Sequence, residues 1–334
     1  MKKIVILCLV TIIVTGLVAG VVTGCQEKGV LRLNEVTHSI FYAPLYVAIN
    51  NGYFSDEGIE IELTNGGGSD KSMTAVMSGD ADIGLMGPET AVYVKAQGAN
   101  DNAVVFGQLT KKDGSFLIAR QPDEDFSWSD VASKEVIGGR QGGMPAMCLE
   151  DALIKAGLNK KSDFVMNYDV QFNLVASAFE SGTGDYCTMF EPTASEFQKK
   201  GKGYIVASVG EAAGEMPYTC FIATKSYIKD NRDRVKGFLR AVLKGIDYVC
   251  TASDEDIVKA LKPSFPGISD DIIAQSVNSY KSIDAYMVDP VMTEESFNNL
   301  VTLLRNMGTL EKQVTFGEIV DNSIVKEIAQ EKSE

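Results

Sequence analysis

Short apolar segments alternate with amphipathic ones along most of the chain, which is the pattern of an α/β fold. Residues 30–36 and 59–63 are predicted as strands, and the apolar run 43–51 between them as a helix that ends before Gly52. Further strands are predicted at 81–86 and 103–109, again with helices between them. This βαβ order predicts mainly parallel sheets.

A second set of alternating segments follows the polar stretch 110-TKKDG-114. Its predicted strands are 116–120, 135–139, 164–170, 185–190 and 204–209, and its predicted helices are 147–156, 173–180 and 193–199. A second polar stretch, 210-GEAAGEMP-217, ends this unit, and a strand at 218–224 and long amphipathic helices follow. We therefore expect one lobe of residues 31–112 and 217–330 and another of residues 113–216, with a cleft between them and a hinge at the crossings 110–115 and 210–217.

The start of the chain has the features of a secretory signal. Two lysines precede an apolar run from Ile4 to Val22 and small residues before Cys25. Because Val22-Thr23-Gly24-Cys25 resembles a bacterial lipobox, we expect residues 1–24 to be removed and Cys25 to be lipidated. Residues 25–30 would then tether an extracytoplasmic protein to the membrane. A retained anchor helix is the alternative, since the apolar run is almost long enough to span a bilayer.

Composition and charge exclude several classes of function. The 31 Lys and Arg residues against 45 Asp and Glu give a net charge of −14, which would repel nucleic-acid phosphates. Four cysteines lie outside the leader and lipobox: Cys148, Cys187, Cys220 and Cys250. They form no CxxC pair, so no disulfide framework is predicted. Because the chain also has no HExxH motif and a single histidine, no metal site is predicted either. The nucleophile motif GxSxG is also absent, so we expect a non-enzymatic protein. We further expect it to be a monomer and to need no cofactor.

Candidate ligand-binding residues follow from the order of the elements. Ligands of open α/β sheets bind beyond the carboxyl ends of the strands, where helix N-termini point outwards. The stretches at these positions are 37-THSIFY-42, 64-TNGGGS-69, 86-MGPET-90, 139-GRQGGMP-145, 170-VQFN-173, 190-FEPT-193 and 216-MPYT-219. Within them, the candidates are His38, Tyr42, Gly67, Pro88, Glu89, Thr90, Arg140, Gly142, Gly143, Asn173, Glu191 and Tyr218.

The stretch 41-FYAPLYVAINNGYFSDEGIEIEL-63, followed by 72-SMTAVMSGDADIGLMGPE-89, resembles the solute-binding proteins of ABC transporters. More narrowly, it is similar to binders of aliphatic sulfonates, taurine and thiamine-pyrimidine precursors and to the related pyrimidine synthases. The shared motifs are G-[YF]-F-x-x-E-G-[IL]-x-[IV] and A-[LV]-x-x-G-x-[AV]-D-[IV]-[GA], and the similarity extends from about Leu31 to the 280s. The resemblance implies a type II periplasmic-binding fold, two lobes joined by a two-strand hinge, a small solute as ligand, and the permease and ATPase subunits of an importer as partners.

Two charged candidates favour different solutes. Glu191 either caps the helix after Pro192 or accepts hydrogen bonds from a ligand amine or ring N–H. Arg140 would instead bind an anion with help from the amides of Gly142 and Gly143. Our leading hypothesis is a small planar heterocycle like a thiamine-pyrimidine precursor, and an aliphatic sulfonate, taurine or another small organic ion is the second. A pyrimidine synthase is a minor alternative, which the isolated position of Cys148 disfavours.

The first loop has both structural and functional interpretations. His38 either fixes the strand-to-helix turn by a local hydrogen bond or faces a ligand in the cleft, and we favour the second because its loop is predicted to face the cleft. Tyr42 is placed in the site, where its ring would stack on a flat ligand, whereas Tyr46 is assigned to the core. The stretch 66-GGGSDKS-72 is predicted as a turn with Ser69 as a helix N-cap, and its amides are an alternative anchor for a polar ligand edge.

Overall fold

The computed structural model describes residues 29–331, so the predicted leader and Cys25 lie outside it. It contains ten strands. They are β1 Gly29–Glu35, β2 Ile59–Asn65, β3 Ile83–Met86, β4 Ala103–Thr110, β5 Ser115–Ala119, β6 Glu135–Ile137, β7 Val165–Asn167, β8 Tyr186–Phe190, β9 Tyr204–Ser208 and β10 Thr219–Thr224. Within the described range, no helix combines the length and apolar character needed to span a bilayer.

The strands form two five-stranded sheets with the same pattern. Sheet A has the order β2-β1-β3-β10-β4, and sheet B has the order β7-β6-β8-β5-β9. In each sheet four strands run parallel and the strand in the fourth position, β10 or β5, runs against its two neighbours. The predicted α/β class is therefore confirmed. Because β10 returns from the second unit to complete sheet A, the chain must pass twice between the sheets.

Helices connect and cover the strands. Before β10 they are α1 Ala43–Asn50, α2 Tyr53–Asp56, α3 Ser69–Ser78, α4 Glu89–Gln97, α5 Met144–Lys155, α6 Val175–Glu180, α7 Thr193–Lys199 and α8 Val209–Ala213. After β10 they are α9 Lys225–Asp230, α10 Arg232–Thr251, α11 Asp254–Leu261, α12 Asp270–Ser282, α13 Glu294–Asn306, α14 Phe316–Ile319 and α15 Ser323–Glu331. Short 3-10 helices occur at Ile40–Tyr42, Trp128–Val131 and Phe172–Leu174.

Three helix starts differ from the predictions. Helix α6 begins at Val175 instead of residue 173, directly after the short 3-10 helix Phe172–Leu174. Helix α5 begins three residues early, since Pro145 is accommodated in its first turn, where no intrahelical N–H bond is needed. Helix α3 has Gly68 rather than Ser69 at its N-cap position, and the Ser69 hydroxyl accepts a hydrogen bond from the Gly87 N–H at 3.4 Å. Ser69 therefore connects two turns at the edge of sheet A instead of capping its own helix.

The two crossings run side by side. The N–H groups of Met216 and Tyr218 donate to the carbonyls of Lys111 and Thr110 at 2.8 and 3.1 Å. The segment after α12 joins them, because the Lys111 N–H donates to the Ala285 carbonyl at 2.8 Å. This third segment could not be placed from its sequence, since the contact connects residues more than 170 positions apart.

Helices α1 and α10 pack unusually closely on the outer face of sheet A. Gly245 of α10 lies so near α1 that an added Cβ would come within 2.1 Å of the Pro44 carbonyl oxygen. Phe238, also on α10, packs against the rings of Phe54, Phe106 and Phe221 in the buried core, in tilted and edge-to-face arrangements. The long helical remainder thus packs back onto the first unit and holds α1, which directly follows the first loop.

Candidate functional site

A cavity of about 240 Å³ lies between the two sheets, and we call it the interlobe cavity. It is lined by residues that follow the carboxyl ends of six parallel strands, three from each sheet. From sheet A these include Val36, Gly67 and Gly87, and from sheet B they include Arg140, Phe172 and Phe190. Each of the seven stretches selected from the sequence contributes at least one lining residue, as expected for sheets whose carboxyl ends face each other across a cleft.

Five of the twelve predicted ligand-binding residues line the interlobe cavity: Tyr42, Gly67, Arg140, Gly143 and Tyr218. The structure places the other seven outside its lining. Pro88 is the N-cap of α4, and Glu89 and Thr90 are the first two residues of this helix. The Gly142 carbonyl accepts a hydrogen bond from the Tyr93 hydroxyl at 3.1 Å. Asn173 is exposed beside the lining residue Phe172.

Aromatic rings form much of the cavity wall. Tyr42 and Tyr218 are almost fully buried, with 2% and 4% exposure, whereas Tyr168, Phe172 and Phe190 are only partly buried. Phe172 meets Phe190 edge to face, with ring centroids 5.6 Å apart. Because Tyr42 also packs on Phe41 in the core, it supports the fold as well as the cavity, contrary to the expectation that it lines an open cleft.

Two helix N-termini meet at the interlobe cavity. Gly68, Ser69 and Asp70 begin α3 on one side, and Gly143, Met144 and Pro145 begin α5 on the other. Within residues 29–331, no partner is found for the N–H groups of Gly68, Ser69 and Asp70. The Gly67 N–H, in contrast, donates to the Asn65 side chain at 2.8 Å. The start of α3 therefore presents donors to a polar ligand edge.

The charges around the interlobe cavity are mixed. Arg140 places Nε 3.5 Å from Asp70 Oδ1 and Nη2 4.0 Å from Glu89 Oε1, so it reaches from sheet B towards two carboxylates on sheet A. Lys71 and Asp169 also line the cavity. Burial raises the pKa of Glu89 to about 7, and Arg140 limits the rise.

His38 does not line the interlobe cavity, which corrects the preferred interpretation of this residue. Its Nδ1 lies 2.8 Å from Glu35 Oε1, and its Nε2 lies 2.8 Å from the Ser264 carbonyl oxygen. The ring also packs against Tyr46 and Phe265. His38 therefore connects the first loop to the segment after α11, and these contacts favour the structural interpretation.

The His38 ring is expected to titrate above the usual histidine range. Both ring nitrogens face an acceptor, and only the imidazolium has two donors. The hydrogen bond to Glu35 raises the pKa of His38. As the single histidine, it gives one titrating signal in an NMR pH titration, and a midpoint at or below about 6.5 would contradict the ion pair.

The same ion pair makes a pH-dependent contribution to stability. Because the pKa is higher in the folded chain, the contribution is fully present below about pH 6.5 and is lost as the pH rises through the folded value. Melting temperatures of the wild type and of His38→Gln should therefore differ more at about pH 6 than at about pH 9. A constant difference would show that Glu35 does not interact with the charged ring.

Glu191 also lies outside the cavity lining. Its buried carboxylate accepts hydrogen bonds from the N–H and the hydroxyl of Ser195, at 2.9 and 2.7 Å, in the first turn of α7. Its backbone carbonyl accepts from the Ser39 hydroxyl at 2.6 Å. Glu191 thus follows the capping interpretation and connects the first loop to sheet B, which corrects the expectation that it faces a ligand.

Five lining residues lie outside the stretches selected from the sequence: Val36, Asp70, Lys71, Tyr168 and Asp169. Asp70 and Lys71 directly follow a selected stretch, so extending it by one helical turn would have found them. Tyr168 was missed for a different reason. Its hydroxyl donates to the buried Glu150 of α5, and this contact holds the ring at the cavity. That contact depends on how α5 packs on sheet B, for which the sequence carries no local signal.

The described residues offer little for metal or thiol chemistry. No group of three or more metal-binding side chains occurs among residues 29–331. Cys148, Cys187 and Cys220 are buried, and burial raises the pKa of each thiol. A buried thiol of raised pKa is a poor nucleophile.

The repeated sheet order, the double crossing and the cleft between the carboxyl ends define a two-lobed solute-binding protein. The chain belongs to the NMT1/THI5-like family, whose model matches residues 40–255. YtlA of Bacillus subtilis (strain 168), provisionally named a binding protein, is 42% identical over 311 residues, which cover 92% of this chain and 93% of the relative. These similarities confirm the predicted family and the expectation of a binding protein rather than an enzyme.

Solved structures share the fold at low sequence identity. The alkanesulfonate-binding protein SsuA from Xanthomonas axonopodis pv. citri, bound to MOPS, has a TM-score of 0.72 and 16% identity, covering 88% of this chain and 99% of its own. The nitrate-binding protein NrtA from Synechocystis PCC 6803 has a TM-score of 0.75 and 14% identity, covering 91% and 89%. The predicted periplasmic-binding fold is therefore confirmed.

Proposed function

We propose that this protein is the extracytoplasmic solute-binding component of an ABC importer and that it binds one small solute in the interlobe cavity. The observation that carries this proposal is a cavity enclosed by the carboxyl ends of both sheets, beside two hydrogen-bonded crossings. A few connecting residues are enough to let two lobes close over a ligand. The permease and ATPase subunits of the importer are the proposed partners.

The proposed solute is a small planar heterocycle of the thiamine-pyrimidine-precursor type. Five aromatic residues line the interlobe cavity, and the partly buried rings of Phe172 and Phe190 offer apolar faces for stacking. A volume of about 240 Å³ lies below the roughly 300–1,000 Å³ of drug-sized pockets, which suits a solute of about one ring.

An aliphatic sulfonate, taurine or another small organic ion is the second candidate. Arg140 and the starts of α3 and α5 are groups that bind anions in many proteins. Alkanesulfonate binding by the structurally similar SsuA is consistent with this alternative.

Identification of a retained solute tests both candidates. Purified protein would be dialysed gently, denatured and analysed by mass spectrometry for released small molecules. Thiamine pyrimidine and taurine would then be titrated calorimetrically, and small-angle scattering would be recorded with and without each compound. A heterocycle that binds and reduces the radius of gyration supports the proposal, whereas binding of neither compound, with no retained solute and no compaction, would refute it.

We also propose that Cys25 carries a lipid anchor. The charged start, the apolar run and Val22-Thr23-Gly24-Cys25 support this. Replacing Cys25 with alanine should move the protein from the detergent phase to the aqueous phase or leave an uncleaved precursor, while solute binding is retained. Unchanged processing and partitioning of Cys25→Ala would contradict lipidation.

A further inference from the structure

We propose that Glu89 is a specificity-determining residue: its buried carboxylate faces Arg140 and the start of α5, two of the features that would otherwise attract a free anion, so the interlobe cavity selects uncharged or zwitterionic solutes. This inference rests on the proposed function and narrows the class of solute.

Glu89 is buried without the hydrogen bonds that a buried carboxylate normally makes. It is the first residue of α4, and its side chain is fully buried. Neither carboxylate oxygen has a hydrogen-bond partner within residues 29–331. The group fits against Gly87, where an added Cβ would lie 2.0 Å from Glu89 Oε2. Because buried carboxylates are usually paired and hydrogen-bonded, this arrangement requires a source of compensating charge.

The compensating charge comes from the other side of the cavity. Arg140 Nη2 lies 4.0 Å from Glu89 Oε1, and the N–H of Met144 at the start of α5 faces the carboxylate without reaching hydrogen-bond geometry. Arg140 and the N-terminus of α5 are the features that would recognise an anion. The same guanidinium also faces a second carboxylate, because Arg140 Nε lies 3.5 Å from Asp70 Oδ1. The anion-binding groups of sheet B therefore already face acidic side chains of sheet A.

The charged residues that line the interlobe cavity do not make it positive overall. Lys71 and Arg140 line the interlobe cavity together with Asp70 and Asp169, so the lining charges balance. Glu89, when ionised, adds a further negative charge beside this balanced set. An entering anion would meet repulsion in a partly desolvated site while Glu89 is ionised, whereas a neutral or zwitterionic solute adds no net charge.

The pH dependence follows from the groups that surround Glu89. Burial raises its pKa to about 7, Arg140 opposes the rise and Asp70 adds to it. The other titratable groups facing it are Tyr93, Cys148 and Cys220, whose pKa values burial also raises, so they stay uncharged near neutral pH. Protonation of Glu89 below about pH 7 should therefore make the cavity more receptive to anions.

Calorimetric titration with methanesulfonate and with nitrate tests the proposal, in Tris or bis-Tris buffers free of sulfonate. At about pH 8, Glu89→Gln should bind methanesulfonate at least about tenfold more tightly than the wild type, because one opposing charge is removed. Glu60→Gln makes the same charge change at an exposed position of β2 and should leave the affinity unchanged. Adding Arg140→Gln to Glu89→Gln should abolish the gain, which would locate the anion at this site.

The wild type provides an independent measurement if Glu89→Gln folds poorly. Its affinity for methanesulfonate should rise as the pH falls from about 8 to about 5.5. That rise should be smaller in a folded Glu89→Gln variant, which keeps Asp113, a second buried carboxyl beside Tyr218 whose pKa burial raises to about 7. Tight binding of methanesulfonate by the wild type at about pH 8, a flat wild-type profile, or weaker binding in Glu89→Gln would overturn the proposal. If thiamine pyrimidine does not bind but the anion results hold, the proposed heterocycle fails and the role of Glu89 stands.

Discussion

Replacing Gly245 with alanine is expected to lower the free energy of unfolding by about 1–3 kcal/mol, the usual range for overpacking a close contact. The added Cβ would lie 2.1 Å from the Pro44 carbonyl oxygen and 3.1 Å from the Ala48 Cβ. The nearest atom belongs to the backbone, so it cannot move aside by a change of rotamer. Helix α10 and helix α1 must separate, and the buried surface between them is disturbed.

Gly237 offers a matched control on the same helix. An alanine Cβ there would meet its nearest atoms, on Glu57 and Ile59, at 3.4 Å, which is ordinary contact. Because alanine favours helix over glycine by about 1 kcal/mol, Gly237→Ala should keep or raise the stability. Thermal and urea unfolding of both variants decide the point, and equal stabilities for the two would mean that α1 and α10 are not packed this closely.

Replacing Phe172 with alanine is expected to weaken binding of a flat solute by about 1–3 kcal/mol, roughly 5- to 150-fold, the usual loss when a stacking ring is removed. Phe172 lines the interlobe cavity and is only partly buried. The melting temperature of the solute-free protein should therefore change little. Calorimetric titration with thiamine pyrimidine, or with the solute identified by mass spectrometry, measures the effect.

Leu174 is the control for this substitution. It belongs to the same short 3-10 helix, is 49% exposed and does not line the interlobe cavity. Leu174→Ala should bind the solute as the wild type does. Unchanged affinity in Phe172→Ala would remove Phe172 from the binding surface, and an equal loss in both variants would indicate a general effect on the 168–174 segment.

The approximate position of the cavity followed from the sequence, but the orientation of individual side chains did not. Each of the seven selected stretches reaches the cavity because strand order fixes which turns lie at the carboxyl ends. His38 and Glu191 lie in two of these stretches, and each forms hydrogen bonds elsewhere, His38 with Glu35 and Ser264 and Glu191 with Ser195. Ser264 is 226 positions from His38, so no local pattern predicts that acceptor.

The α/β class and most element positions were predictable from the sequence, because apolar periodicity and glycine or proline at turns act within a few residues. The sequence also carried the motifs of the family. The charges that meet across the cleft, such as Arg140 with Asp70 and Glu89, and the rings that stay accessible were not predictable in this way. The physical reason is that burial, desolvation and ion pairing depend on the distance between segments that the fold brings together, and these distances are set by packing over the whole molecule.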